Sequence, residues 1–234
     1  MKDSKVICVL SGGMDSTALL YDLKDRGAEI KAISFDYGQK HKKELHYASK
    51  NCGKLKVEHT IVDLSAITQL ISNSALTGDI DVPEGHYEDE SMKQTVVPSR
   101  NSIMAIIANA YAINIGYSDI ALAVHAGDHA IYPDCREEFL IALQDLFNVN
   151  NYEKINVYAP YFDISKADIL KRGLELGVDY RNTWSCYNGE EKPCGKCGTC
   201  TERTLAFVEN NAQDPLYEHP EDWFKAVEYA KEQE

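Results

Sequence analysis

Short continuous apolar runs alternate along this chain with longer stretches of helical periodicity. Val6-Ile7-Cys8-Val9-Leu10 and Ile30-Lys31-Ala32-Ile33-Ser34-Phe35 are short and rich in β-branched residues, as expected for strands buried on both faces. The pattern predicts strands over 5–10, 30–35, 56–62 and 118–124, with a shorter one at 155–159. Apolar spacing of three and four predicts helices over 15–26, 41–53, 65–72, 99–115, 136–147, 166–176, 201–209 and 220–232. Strands interleaved with helices imply right-handed crossovers and a mostly parallel sheet with helices on both faces, so the expected fold class is α/β. The reading divides the chain into residues 1–180, the sheet domain, and 181–234, a small helical segment packed on it. Residues 73–98, with Gly78, Pro83, Gly85 and Pro98, have no clear period and read as a mobile loop over the sheet's ligand edge.

In such sheets ligands bind beyond the carboxyl ends of the strands. Ser11-Gly12-Gly13-Met14-Asp15-Ser16 lies there, after the first strand and at the start of a helix. The glycines permit a tight turn, and the free N–H groups and dipole of the helix start favour an anion. The ending is neither a Walker loop nor a dinucleotide fingerprint. We therefore expect Leu10, Ser11, Gly12, Gly13, Met14, Asp15, Ser16, Thr17, Ala18, Leu19 and Leu20 to form a phosphate-binding segment. Asp36-Tyr37-Gly38-Gln39 and His125-Ala126-Gly127-Asp128 fall at the ends of other strands.

Composition narrows the picture. The 234 residues, 44% of them hydrophobic, are enough for one large domain with a sizeable core. A net charge of −13 argues against a long nucleic-acid track. No run approaches a membrane span and the first ten residues do not read as a signal peptide, so a soluble cytoplasmic protein is expected. Four of the seven cysteines, Cys186, Cys194, Cys197 and Cys200, fall within fifteen residues. Their spacing suits a structural zinc site closed by four thiolates, one ion per chain, with an iron–sulfur cluster as the competing reading. Cys8 reads as a buried small apolar residue, and Cys52 as the same or partly exposed.

The phosphate turn resembles the SGGxDS loop of adenylating ATP pyrophosphatases. Joined in order by Phe35-Asp36-Tyr37-Gly38-Gln39-Lys40-His41, Val97-Pro98-Ser99-Arg100-Asn101, Tyr132-Pro133-Asp134-Cys135-Arg136 and Ser185-Cys186-Tyr187-Asn188-Gly189, it resembles the 7-cyano-7-deazaguanine synthase family over residues 5–208. Two positions depart from the family pattern: Ser99 stands where many relatives have Gly, and His125–Asp128 replaces a Gly-rich, Glu-containing version.

The resemblance implies a Rossmann-like sheet of the adenine nucleotide alpha hydrolase type. It implies an ATP-dependent C–N ligase that converts 7-carboxy-7-deazaguanine and ammonia to the nitrile through adenylated acid and amide, with Mg²⁺ accompanying ATP, in a homodimer without nucleic acid or membrane. Stopping at the amide is the alternative outcome. Ser11, Asp15, Ser16, Arg100 and Lys166 are the expected catalytic residues. Arg100 and Lys166 serve as phosphate cations, and Asp15 orients the loop or holds Mg²⁺. A lysine in the first turn of a helix opposes the dipole, which favours an anionic partner for Lys166. Tyr132, Asp134, Arg136 and Asp128 are the expected substrate residues, with Asp134 on the guanine-like N–H edge and Arg136 on the 7-carboxylate. Helix capping by Asp134 and a surface pair for Arg136 stay open beside these roles. Cys135 has no visible partners for nucleophilic catalysis. His41 and His46, one turn apart on a lysine-rich helix, read as a solvated pair. Two other function classes share parts of this pattern. A tRNA-thiolating enzyme would need a basic face and a persulfide-carrying cysteine, and a zinc-knuckle binding module would need basic and aromatic residues among the cysteines.

Overall fold

The computed structural model describes residues 2–188 and 190–233. Met1, Gly189 and Glu234 lie outside the described residues, Gly189 being the last of the Ser185–Gly189 motif. Five strands, β1 (Lys5–Val9), β2 (Glu29–Asp36), β3 (Glu58–Asp63), β4 (Asp119–Ala121) and β5 (Asn156–Tyr158), form one sheet in the order β3-β2-β1-β4-β5. Each neighbouring pair is parallel; Val6 aligns with Ile30 on one side and Asp119 on the other. The order reverses between β1 and β4, which opens a crevice at their carboxyl ends.

The two faces explain the unbroken apolar strands. Val6, Cys8 and Leu10 pack under α1 (Met14–Asp25), α2 (Lys43–Leu55) and α6 (Lys166–Glu175), with Ala18, Leu19, Ala48, Cys52 and Ile169. The alternate residue Ile7 joins Ile33, Phe35, Ile120 and Leu122 against α4 (Arg100–Ile115) and α5 (Glu137–Val149). Side chains one residue apart point to opposite faces, so a strand covered on both sides has no polar phase.

Two helices differ from expectation. The helix expected at 65–72 is the four-residue α3 (Ser65–Thr68), and Thr68 Oγ1 donates to Tyr37 O at 2.9 Å, fixing the turn after β2. The helix expected from 201 begins three residues earlier, as α7 (Gly198–Glu209), because the cysteine knuckle itself supplies its first turn. With α8 (Pro220–Glu232), α7 packs Phe207, Trp223 and Ala226 against Met14, Tyr21 and Leu170. The 73–98 loop lies over the ligand edge as expected. It does so as a packed cover: Leu76, Tyr87, Met92 and Val97 are buried, and Glu84 forms a bridge with Cys197.

Candidate active site

A cavity of about 220 Å³ opens at the crevice between β1 and β4. Its floor is the Ser11–Ser16 turn. Gly12 has φ +94°, and a Cβ there would lie 2.1 Å from Glu44 O, so only glycine lets the turn press against α2. Ser16 Oγ curls the turn by accepting from Ser11 N at 3.2 Å and Gly12 N at 3.3 Å, and it meets Ser11 Oγ at 2.9 Å. Gly13 caps α1 without a side chain, which leaves first-turn N–H groups available to an anion.

Of the expected phosphate segment, Leu10, Ser11, Gly13, Met14, Asp15 and Ser16 line the cavity. Thr17, Ala18, Leu19 and Leu20 turn instead into the core, fully buried, because the helix carries them behind the turn.

Charged groups gather at one end. Lys166, opening α6 behind the Ser165 cap, lies 3.4 Å from Asp15 Oδ2 and pairs closely with Glu202 of α7. Burial alone would lower the Lys166 pKa, but Asp15, Glu202 and Asp128 hold it above the usual range, so the ammonium stays charged. Its place against the helix dipole is thus already compensated by carboxylates. His125 Nδ1 accepts from Gly127 N at 3.1 Å, leaving Nε2 to carry the ring proton. That atom lies 3.4 Å from Asp128 Oδ2, 3.8 Å from Asp15 Oδ2 and 3.9 Å from Glu202 Oε1. Tyr87, from the covering loop, donates to Asp128 Oδ1 at 2.8 Å. Burial works to raise the Asp128 pKa, yet His125 and Lys166 hold it below the ordinary value.

The lining also includes Arg100, Tyr37, His41, Glu44 and Tyr187. Arg100 opens α4 and lies 5.8 Å from the Tyr132 ring centroid. His41, read from the sequence as solvated, is only 3% exposed, and its ring lies 5.5 Å from that of Tyr187, tilted by 45°. Burial and then Arg100 lower its pKa to about 3, so the ring is neutral. Burial and the charge of Asp15 push Glu44 up to about 8, against the opposing pull of Arg100.

The structure does not bring all the expected substrate residues into the cavity. Asp128 lines it, but Tyr132 is buried behind, its hydroxyl 2.5 Å from Thr95 Oγ1 and 3.1 Å from Tyr187 Oη. Asp134 Oδ2 accepts from Asn101 N at 3.2 Å and so caps α4, whose own cap residue, Ser99, supplies no side-chain bond. Arg136 is exposed and donates to His129 O at 2.7 Å. A short turn before α5 spends both side chains on backbone groups. Cys135 lines the cavity, but burial pushes its thiol up, which keeps it from nucleophilic use. Glu44 and Glu202 were not singled out by the sequence reading. The one signal available was their position: Glu44 follows His41 by one turn, and Glu202 follows the last clustered cysteine by two residues.

Beside the cavity, Cys186, Cys194, Cys197 and Cys200 bring their sulfurs within 4.8 Å of one another, so they could hold a metal ion. Cys194 N donates to Cys186 Sγ at 3.4 Å and Cys197 N to Cys194 Sγ at 3.3 Å, the backbone pattern of a knuckle. Gly195 makes the turn at φ +75°. The segment is tied to the phosphate turn through Trp184 N, which donates to Gly12 O at 3.1 Å.

Comparison with known proteins agrees with this architecture. The profile of the family described as "Queuosine biosynthesis protein QueC" matches residues 5–211. The chain is 54% identical to 7-cyano-7-deazaguanine synthase 1 of Colwellia psychrerythraea, over 91% of this chain and 97% of that one. It is 55% identical to the 7-cyano-7-deazaguanine synthase of Methanoregula boonei, over 92% and 100%. Among solved structures, the U34-tRNA thiolase NcsA from Methanococcus maripaludis superposes with a TM-score of 0.50 at 17% identity, covering 99% of this chain and 73% of that one. That likeness is one of fold.

Proposed function

This chain belongs to the QueC family, and from that membership we infer that it is a 7-cyano-7-deazaguanine synthase, an enzyme forming the nitrile on a 7-deazaguanine. In our reading, its substrates are 7-carboxy-7-deazaguanine, ATP and ammonia, and it releases AMP and pyrophosphate. A carboxylate is a poor electrophile because oxide would have to leave; transfer of AMP to its oxygen supplies a leaving group. The same device then removes the amide oxygen.

The observation that carries this reading is the facing of Lys166 and Asp15, 3.4 Å apart, at the uncapped start of α1 in the sheet's switch-point crevice. Backbone N–H groups of the turn, with Ser11 and Ser16 hydroxyls, hold the pyrophosphate. Lys166 and Arg100 neutralise charge that develops as the phosphorus–oxygen bond breaks. Asp15 orients Lys166 and is the carboxylate beside the turn for the Mg²⁺ that accompanies ATP. His125 Nε2 lies 3.4 Å from Asp128 Oδ2, and Tyr87 of the covering loop donates to Asp128 Oδ1. Positioning of the two reactants in one cavity supplies most of the remaining advantage.

Cys186, Cys194, Cys197 and Cys200 would hold zinc. Four sulfurs at about 2.3 Å from one tetrahedral ion lie about 3.8 Å apart, and the observed set, all within 4.8 Å, suits a single ion better than a four-iron cube. With four thiolates the ion has no open position, so it contributes structure.

The test is mass spectrometry of the product formed from 7-carboxy-7-deazaguanine, ATP, Mg²⁺ and ammonium. The expected product is the nitrile. Accumulation of the amide alone would assign the chain to amide synthesis, and no acid-dependent pyrophosphate release would overturn the reading.

A further inference from the structure

We propose that Glu44 is the general base that removes protons from the substrate nitrogen during amide and nitrile formation. The assignment builds on the synthase reading above. That chemistry needs a base. In the first stage the ammonia lone pair attacks the acyl carbon, the carbon–oxygen bond to AMP breaks with its electron pair leaving on AMP, and nitrogen sheds a proton. In the second stage the amide oxygen displaces pyrophosphate from ATP. The O-adenylated intermediate then loses both nitrogen protons as the carbon–oxygen bond breaks and AMP departs, leaving the nitrile.

The cavity holds few groups free for this work. Glu202 is paired with Lys166 and Asp128 accepts from Tyr87; Asp15, 3.4 Å from Lys166, keeps one oxygen unpartnered among the described residues and is the carboxylate assigned above to Mg²⁺. Among the described residues no hydrogen bond is made to the Glu44 carboxylate; Nε2 of the neutral His41 lies 3.5 Å from its Oε2. Buried His41 also has an Nδ1 without a partner among the described residues, and both side chains line the cavity. A buried polar atom without a partner is costly, and a bound ligand relieves that cost.

Place distinguishes proton removal from recognition of the purine. Glu44 Oε1 is 3.7 Å from where a Cβ on Gly13 would sit, so it borders the phosphate turn. The carboxyl that receives AMP must lie there. In a 7-deazaguanine the N–H edge is at the far end of the bicycle from the 7-substituent. Glu44 therefore sits at the reacting end. The groups facing it are His41 from the turn before α2, Asp15 from α1, Arg100 from α4 and Tyr37 after β2. With its carboxyl held near 8, Glu44 is matched to proton transfer close to neutral pH.

The experiment supplies 7-amido-7-deazaguanine with ATP and Mg²⁺, so that ammonia and its own titration play no part. Glu44→Gln should form nitrile at least about 100-fold more slowly than wild type. Exchange of labelled pyrophosphate into ATP, driven by the 7-carboxy acid, should persist, which shows that the fold and first adenylation are intact. Glu44→Asp should recover part of the rate. The wild-type rate should rise as pH passes through about 8, and this rise should vanish in Glu44→Gln. Nitrile formation at the wild-type rate in Glu44→Gln, equal loss of exchange and nitrile formation, or a raised KM with kcat unchanged would each overturn the assignment. A wild type that makes no nitrile would overturn the synthase reading and this assignment with it.

Discussion

Ser99 shows how one residue can strain a site that the rest of the sequence favours. It precedes Arg100 with φ +56°, in the left-handed region where a Cβ costs about 1–2 kcal/mol. Glycine takes that conformation freely, though it loses more backbone entropy on folding. Ser99→Gly should therefore raise stability by about 0.5–1 kcal/mol, read from the denaturant midpoint at unchanged slope. Asp15 acts at the same scale through charge. It is 3.4 Å from Lys166 and its Oδ1 has no hydrogen-bond partner among the described residues. Asp15→Ala should abolish acid-dependent pyrophosphate exchange while far-UV and near-UV circular dichroism stay native. Wild-type exchange in that variant would remove the phosphate turn from the mechanism.

At the scale of elements, α7 does two jobs that its sequence shows only in part. Its first turn grows out of the cysteine knuckle, and two residues after Cys200 it delivers Glu202 to Lys166. One residue further, Arg203 turns the other way. It is 3% exposed, pairs with Asp214 at 2.7 and 2.9 Å, and donates to Thr183 Oγ1 and Tyr180 O. The guanidinium thereby pins the segment that leads into the knuckle. Arg203→Ala leaves Asp214 charged and buried, a loss of about 3–5 kcal/mol. Chemical denaturation should show it. A change under about 1 kcal/mol would mean that the pair contributes little beyond packing.

Across the whole molecule, the knuckle and the catalytic crevice are one mechanical unit. Trp184 N donates to Gly12 O at one end of the cysteine segment, and Glu202 meets Lys166 just past the other. Purified protein should contain about one zinc per chain and no visible-absorbing cluster. Cys197→Ser should lose the metal, melt at lower temperature, and lose activity as a consequence of the loosened segment. Elemental analysis with thermal melts decides it; a metal-free wild type that melts normally and is fully active would refute the structural role. The molecule also separates what was legible along the chain from what was not. Strand and helix order, the switch-point position of the Ser11–Ser16 turn and the four-cysteine set were all readable, because each depends on local periodicity or close spacing. The surroundings of His41, Asp134 and Arg136 were not. His41 looked solvated on a lysine-rich helix, yet Arg100, 59 residues later, and Tyr187 enclose it. Asp134 and Arg136 read as substrate contacts with capping and a surface pair left open, and it is the backbone of Asn101 and His129 that takes them up. Local sequence determines which residues can turn, coil or ligate. Which carboxylate is paired and which is left bare depends on neighbours distant in the chain, and only the closed sheet with its packed loop brings these together.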